Sequence, residues 1–200
     1  MFIAFDGIDG SGKSTQALKL YKNLQEKFPD REVIITNEPY DNDFAYDLYF
    51  QIQNKYKNDI NWKIKTHLFG VARLQLWLKT IKPALDRKAI VISDRWYKST
   101  LAYQGALNNN HDEILKILYD LENIQKPDIY FIFRTEWDKM IPRLKEKENL
   151  SDDNYTYFKN VNEFYFADND INNFYISPLE NIEINTKIIL EVAINKIGIK

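Results

Sequence analysis

A parallel β-sheet covered by helices on both faces is the fold this sequence predicts, and three observations predict it. Several short segments are apolar from end to end instead of alternating, among them "EVIIT" (Glu32 to Thr36), "AIVIS" (Ala89 to Ser93) and "DIYFIF" (Asp128 to Phe133). Strands buried on both faces read that way. Segments with helical apolar spacing lie between them, as the crossovers of a parallel sheet require. A glycine-rich stretch, "FDGIDGSGKST" from Phe5 to Thr15, follows the first apolar run directly. Glycines there cost backbone entropy unless something must come close to the main chain.

Taken in order, "MFIAF" is the first strand, ended by Gly7. From Lys13 onward, Ala17, Leu20, Tyr21, Leu24 and Phe28 fall at helical spacing, and Pro29 closes that helix. "EVIIT" is the second strand. After a loop, a long helix puts Ile64, Leu68, Val71, Leu74 and Leu78 on one face, with Pro83 near its exit. "AIVIS" and "DIYFIF" are the third and fourth strands, and "IEIN" (Ile182 to Asn185) is read as the fifth. A last helix, from about Thr186, carries Ile189, Val192, Ala193 and Ile197 inward. No repeat and no linker-like composition interrupts the series, so residues 1–200 are read as a single domain.

Composition narrows the function. Apolar residues make up 44% of the chain, enough for a folded core. There is no cysteine, which excludes disulfides, thiol nucleophiles and cysteine-held metals. A net charge of −2 gives no footing for a nucleic acid polymer, whose affinity rests on clustered basic charge. The apolar start is too short for a signal peptide and has no basic flank, and no run approaches the ~20 residues that span a bilayer. A cytoplasmic protein without a membrane partner is the expectation.

"GIDGSGKS" fits G-x-x-x-x-G-K-[ST], the P-loop, and its context of strand before and helix after is the right one. Inward-turned backbone N–H groups and a helix N-terminus make an anion cradle. Gly7, Asp9, Gly10, Ser11, Gly12, Lys13, Ser14 and Thr15 form it, with Lys13 a point charge near the β- and γ-phosphates and Ser14 a hydroxyl for Mg²⁺. The competing reading is a strand-to-helix turn that merely needs glycines. The motif points to a nucleoside triphosphate without choosing among GTPases, ATPases and small-molecule kinases. "RTEWDK" after the fourth strand lacks the Asn-Lys-x-Asp of guanine-specific switch proteins.

In parallel sheets ligands sit beyond the carboxyl ends of the strands. "DRWYKSTLAYQG", Asp94 to Gly105, starts there. Asp94 is placed to hold a metal-bound water, and Arg95 is a fork-shaped cation suited to a second phosphate. A structural Asp–Arg pair is the alternative. Tyr97, Ser99, Thr100, Tyr103 and Gln104 crowd one helix start with groups suited to a sugar and a base. Phe69 and Arg73, one helical turn apart, could stack on a planar base and donate to its carbonyl. A core phenylalanine beside a solvated arginine is the alternative there.

From end to end the chain resembles the thymidylate kinases. The resemblance lies in "GIDGSGKST", Glu38-Pro39, "FGVAR", "DRWYKSTLAYQG", the "KPD" before the fourth strand and "YFKNVNEFY" (Tyr157 to Tyr165). It implies a P-loop NTPase three-layer sandwich on a five-stranded parallel sheet with a small lid at about 143–155, and a reaction in which ATP and dTMP give ADP and dTDP with Mg²⁺. It also implies roles. Asp9 would meet the deoxyribose 3′-hydroxyl, Phe69 would stack on thymine and Arg73 would reach its O4. Arg95 would hold the acceptor phosphate. Glu38, Ser99, Thr100 and Gln104 would line the acceptor site, and Tyr103 would close off the 2′ position. A homodimer packed through the long helices is the family habit.

The chain departs from the family pattern in several places. Asn37 precedes Glu38-Pro39 and Tyr40-Asp41-Asn42 follow, where a basic residue and Gly-Gly-Thr are common in bacterial members. Arg134 stands where an acidic residue is usual. The lid segment "RLKEKENLSDDN" lacks the usual arginines, and Gly10 stands where the other subclass has one. Arg143, Lys145 and Lys147 are therefore the candidate donors of lid charge, with Arg134 next and an exposed charged helix as the competing reading. Another deoxynucleotide or a deoxynucleoside as acceptor, or a nucleotide-binding paralogue without activity, stay open.

Overall fold

The structure is a computed structural model and describes residues 1–39, 43–56, 60–106, 110–122, 125–148, 151–177 and 181–198. The Tyr40-Asp41-Asn42 departure lies outside the described residues. Five strands, β1 (Phe2–Gly7), β2 (Val33–Asn37), β3 (Ile90–Asp94), β4 (Ile129–Phe133) and β5 (Asn173–Ile176), pair in the order β2-β3-β1-β4-β5, every pair parallel. The helices are α1 (Lys13–Lys27), α2 (Asp43–Phe50), α3 (Trp62–Leu76), α4 (Lys82–Asp86), α5 (Tyr97–Gly105), α6 (His111–Glu122), α7 (Trp137–Glu148), α8 (Asp152–Ala167) and α9 (Ile182–Gly198).

The continuous apolar strands have the expected cause. On β1, Phe2 and Ala4 point to one core with Leu76, Leu101, Ile114 and Val161 from α3, α5, α6 and α8. Ile3 and Phe5 point to the other, with Leu20 and Leu24 of α1 and Ile189 and Ala193 of α9. Each face of the sheet is covered, so no position on the central strands is left for a solvated side chain. The chain leaves β1 for β2 and β3 on one side and for β4 and β5 on the other, which opens a crevice at the carboxyl ends of the strands. Register brings Phe5, Asn37 and Asp94 level at that edge, with Gly7 beside Phe133.

One expectation is corrected. "IEIN" is not a strand: Ile182 to Asn185 are the first turn of α9, started by Asn181, whose Oδ1 accepts from Glu183 N at 2.9 Å. The apolar alternation of Ile182 and Ile184 belongs to the helix because a cap precedes it. The fifth strand is "NFYI", which enters from the Asp170 turn, where Asn172 N donates to Asp170 Oδ1.

The apolar row of the long helix lies largely on its exposed side, with Ile64, Val71 and Leu78 51%, 37% and 54% exposed. Thr66, Gly70, Ala72, Arg73 and Leu76 face inward instead. The rod also runs past Leu76. A π-helical turn, Trp77–Ile81, joins α3 to α4, and the widened turn admits Pro83, which has no N–H to give.

Candidate active site

Gly7 ends β1 where space is short: a Cβ there would lie 2.8 Å from Phe133 Cβ and 2.9 Å from its carbonyl oxygen. Gly12, at φ 90°, starts α1 in the left-handed region, and no side chain caps the helix. The first-turn N–H groups of α1 thus stay available to an anion. Ser11 Oγ is buried without a hydrogen-bond partner among the described residues. Ser14 and Thr15 are exposed on the first turn.

Lys13 is nearly enclosed, with its Nζ 3.6 Å from Asp9 Oδ1. Arg95 Nη2 donates to the same oxygen, and Tyr103 donates its hydroxyl proton to Asp9 Oδ2 at 2.5 Å. Asp9 N donates back to the Tyr103 oxygen at 3.0 Å. Burial alone would raise the Asp9 carboxyl, but Arg95 and Lys13 outweigh it and hold it well below the usual carboxylate range. Burial and the Arg95 charge pull Lys13 down, with Asp9 opposing.

Arg95 sits at φ 78°, uncommon for a side chain other than glycine. The conformation is held from both sides: Arg95 N donates to Phe5 O at 2.8 Å, and Ser93 Oγ donates to Arg95 O at 2.7 Å. That turn throws the guanidinium back over the crevice, where Nη1 donates to Ser99 Oγ at 2.8 Å. Asp94 Oδ1, buried beside it, has no hydrogen-bond partner among the described residues. An orphaned carboxylate oxygen at a strand end, within electrostatic reach of Lys13, is the donor type that a hard cation such as Mg²⁺ takes.

A second constellation lies across the crevice. Arg73 is fully buried and grips Glu38 with two donors, Nε to Oε2 at 3.0 Å and Nη2 to Oε1 at 2.5 Å. Its Nη2 also reaches Thr100 Oγ1 at 2.6 Å, and the guanidinium lies 5.5 Å from the Trp96 ring centroid. Arg73 is therefore a buried cation and not a solvated one. Phe69, half-buried one turn away, lies 6.3 Å from the Tyr49 ring. Gln104 is half-buried at the end of α5.

The lid segment is the second half of α7 and the start of α8. Arg143 Nη1 donates to Gly10 O at 3.2 Å, so α7 already touches the P-loop. Lys145 is exposed, and the side chain of Lys147 lies outside the described residues. Arg134 is engaged elsewhere: Nε donates to Tyr165 O at 2.8 Å, Nη2 donates to Asp168 O, and the guanidinium lies 3.4 Å from the Tyr175 ring centroid. Helix α8 holds the end of α5, Tyr157 donating to Tyr103 O at 3.1 Å and Asn160 to Ala106 O at 2.5 Å.

Sequence reasoning missed Asp6. It is the one charged residue of a strand that is otherwise apolar or glycine, which was the available signal. It is fully buried and accepts from Ser99, Tyr130 and Trp96 N.

Comparisons with known proteins show the family and the fold. The family model for thymidylate kinase matches residues 5–188. A thymidylate kinase of Exiguobacterium sp. is 32% identical over 151 residues, covering 75% of this chain and 70% of the relative. One from Chlorobaculum parvum is 37% identical over 149 residues, covering 74% and 67%. The crystal structure of thymidylate kinase from Ehrlichia chaffeensis superposes with a TM-score of 0.75 at 26% identity, covering 96% of this chain and 97% of that one.

Proposed function

The chain belongs to the thymidylate kinase family, and we propose that its crevice transfers the γ-phosphoryl group of ATP to dTMP, giving ADP and dTDP. One observation carries the assignment of residues: the P-loop cation Lys13 and the strand-end cation Arg95 converge on a single carboxylate, Asp9, at the mouth of the crevice. Two cations that share one counter-ion are placed to receive two separate phosphates.

In this reading the backbone from Gly7 to Thr15 cradles the donor phosphates, and Lys13 neutralises charge as the bond to the β–γ bridging oxygen lengthens. A phosphate oxygen of dTMP forms the new bond to the γ-phosphorus, and the bridging oxygen leaves with the electron pair on ADP. Arg95 holds the acceptor phosphate in line, a positioning role that lowers the entropic part of the barrier. Asp9 is released from its cations to the deoxyribose 3′-hydroxyl, and Tyr103 fills the space of a 2′-hydroxyl. Glu38 fixes the Arg73 guanidinium so that it addresses thymine O4, while Phe69 stacks on the ring and Thr100 and Gln104 border it. Ser14 and Asp94 would hold Mg²⁺, which supplies charge neutralisation on the β- and γ-oxygens.

The unit of function in this reading is a homodimer. Ile64, Leu68, Val71 and Leu78 form an apolar row along the exposed side of the long helical rod, and a second copy of the same row is its natural cover.

The test is ADP release measured with each deoxynucleoside monophosphate and with thymidine. Turnover with dTMP well above the others is expected, since thymidine leaves Arg95 without an anion. Arg73→Ala should raise the dTMP KM by about tenfold or more, the loss of a charged hydrogen bond, with little change in the ATP KM. A raised ATP KM with an unchanged dTMP KM would remove Arg73 from the acceptor site. Equal turnover of all acceptors would remove the base assignment, and no turnover with any would leave a nucleotide-binding paralogue.

A further inference from the structure

Asp6 lies behind the crevice, fully buried at the carboxyl end of β1. Its oxygens collect donors from three elements. Oδ1 accepts the Ser99 hydroxyl of α5, and Oδ2 accepts the Tyr130 hydroxyl of β4 and Trp96 N at 3.2 Å. A serine hydroxyl has one proton and two lone pairs. With that proton committed to Asp6, Ser99 presents only lone pairs to Arg95, whose Nη1 donates to it at 2.8 Å. Nη1 is therefore the anchored arm of the guanidinium. Nη2, on Asp9 at the crevice mouth, is the arm that a phosphate reaches. Burial pushes the Asp6 carboxyl up to about 6 in spite of its donors. A carboxylate kept at that desolvation cost, with its donors on three elements, is a candidate for a functional position.

We propose that Asp6 is a positioning residue for the acceptor-phosphate cation: by taking the Ser99 proton it fixes the Ser99 lone pair on Arg95 Nη1 and so sets the approach of Nη2 to the phosphate of dTMP. This rests on the reading of Arg95 as the ligand of that phosphate. Asp6→Asn keeps the volume but offers Ser99 an amide donor or a weaker acceptor, so the hydroxyl is free to turn its proton toward Arg95 or toward Tyr165, whose oxygen lies 3.4 Å away.

The experiment is steady-state kinetics of wild type, Asp6→Asn, Ser99→Ala, the double variant, and Arg95→Ala as a reference. Asp6→Asn should raise the dTMP KM by about tenfold, the range of a lost charge-assisted contact, and leave the ATP KM within about twofold. The double variant should lose no more than the larger single, because both act through one contact. A stability effect would instead move both KM values or neither, and would add in the double variant.

The pH profile is the independent readout. Asp6 is faced by Arg95, Glu38, Lys13, Tyr130, Tyr97 and Tyr165. These are common to wild type and Asp6→Asn, as is the titrating phosphate of dTMP, so the ratio of their kcat/KM values cancels them. The ratio should approach one as pH falls through about 6, where the wild-type carboxyl also becomes protonated. If Asp6→Asn does not fold, Tyr130→Phe carries the same test: it removes a donor to the ionised carboxyl, so the acid limb for dTMP should move to higher pH. An unchanged dTMP KM in folded Asp6→Asn, additive losses, or an unmoved acid limb in Tyr130→Phe overturns the proposal. A normal dTMP KM in Arg95→Ala overturns it too, and separately identifies the reading of Arg95 as the error.

Discussion

Arg143 lies at the P-loop although its neighbours in sequence read as a solvated charged helix. Its Nη1 donates to Gly10 O at 3.2 Å, and its Cβ would stand 3.4 Å from a Cβ placed on Gly10. A guanidinium already seated on the cradle needs only a side-chain rotation to meet phosphate oxygens, whereas Lys145 on the same helix is exposed. An arginine that meets the transferring group can be worth about 10³–10⁵ in rate. Arg143→Ala is thus expected to lower kcat at saturating ATP and dTMP by at least about 100-fold, or ~2.7 kcal/mol. Lys145→Ala should stay near wild type. Equal, small effects at both positions would mean that the charge comes from elsewhere. Arg134 is the poorer substitute, since its donors are taken by Tyr165 O and Asp168 O.

Helix α5 serves two sides at once. Ser99, Thr100 and Tyr103 face the crevice, while Lys98 pairs with Asp168 at 2.6 Å and Gly105 meets α6. A Cβ at Gly105 would fall 2.5 Å from both Cδ2 and Nε2 of His111, whose ring stacks on Phe164 at 4.8 Å. Alanine gains about 1 kcal/mol of helix propensity over glycine, and overpacking costs about 1–3 kcal/mol. Moving the ring aside would give up its stacking on Phe164, so the clash is expected to outweigh the propensity gain. Gly105→Ala should lower the urea midpoint, equivalent to about 1–2 kcal/mol, and His111→Ala in that background should recover part of the loss. A neutral or stabilising Gly105→Ala would show that α6 is free to shift.

At the scale of the whole molecule, the long helical rod turns an apolar row outward. Ile64, Val71 and Leu78 are spaced to share one side, and all three are exposed. A charge at the centre of a self-complementary patch is placed against its own copy. If the proposed homodimer forms through this row, Val71→Glu is expected to lower the sedimenting mass from dimer to monomer at micromolar concentration while leaving the circular dichroism unchanged. A wild-type chain that sediments as a monomer at those concentrations would sink the dimer. Glu on the opposite side of the rod is not an equivalent control, because Arg73 and Thr66 there are buried in the crevice wall.

The sequence by itself determined the parallel sheet, since strands buried on both faces leave no room for polar side chains and their apolar runs show it. It determined the glycine turn from β1 into α1 as well, because the positive φ at Gly10 and Gly12 is a local backbone requirement that glycine meets without strain. Only the tertiary structure decided which face of α3 is buried. Apolar periodicity marks a face that avoids water but does not say whether the sheet or another molecule covers it, and here the polar Arg73 went inside because Glu38, distant in sequence, neutralises it. The first turn of α9 was misread for a related reason: four residues with apolar alternation fit a strand until the Asn181 cap is seen. Asp6 stayed hidden because what makes it matter is a set of donors at residues 96, 99 and 130, brought to it by strand register and by the turn at Arg95. Local chemistry is written along the chain, but which groups share a proton or a charge is settled by packing.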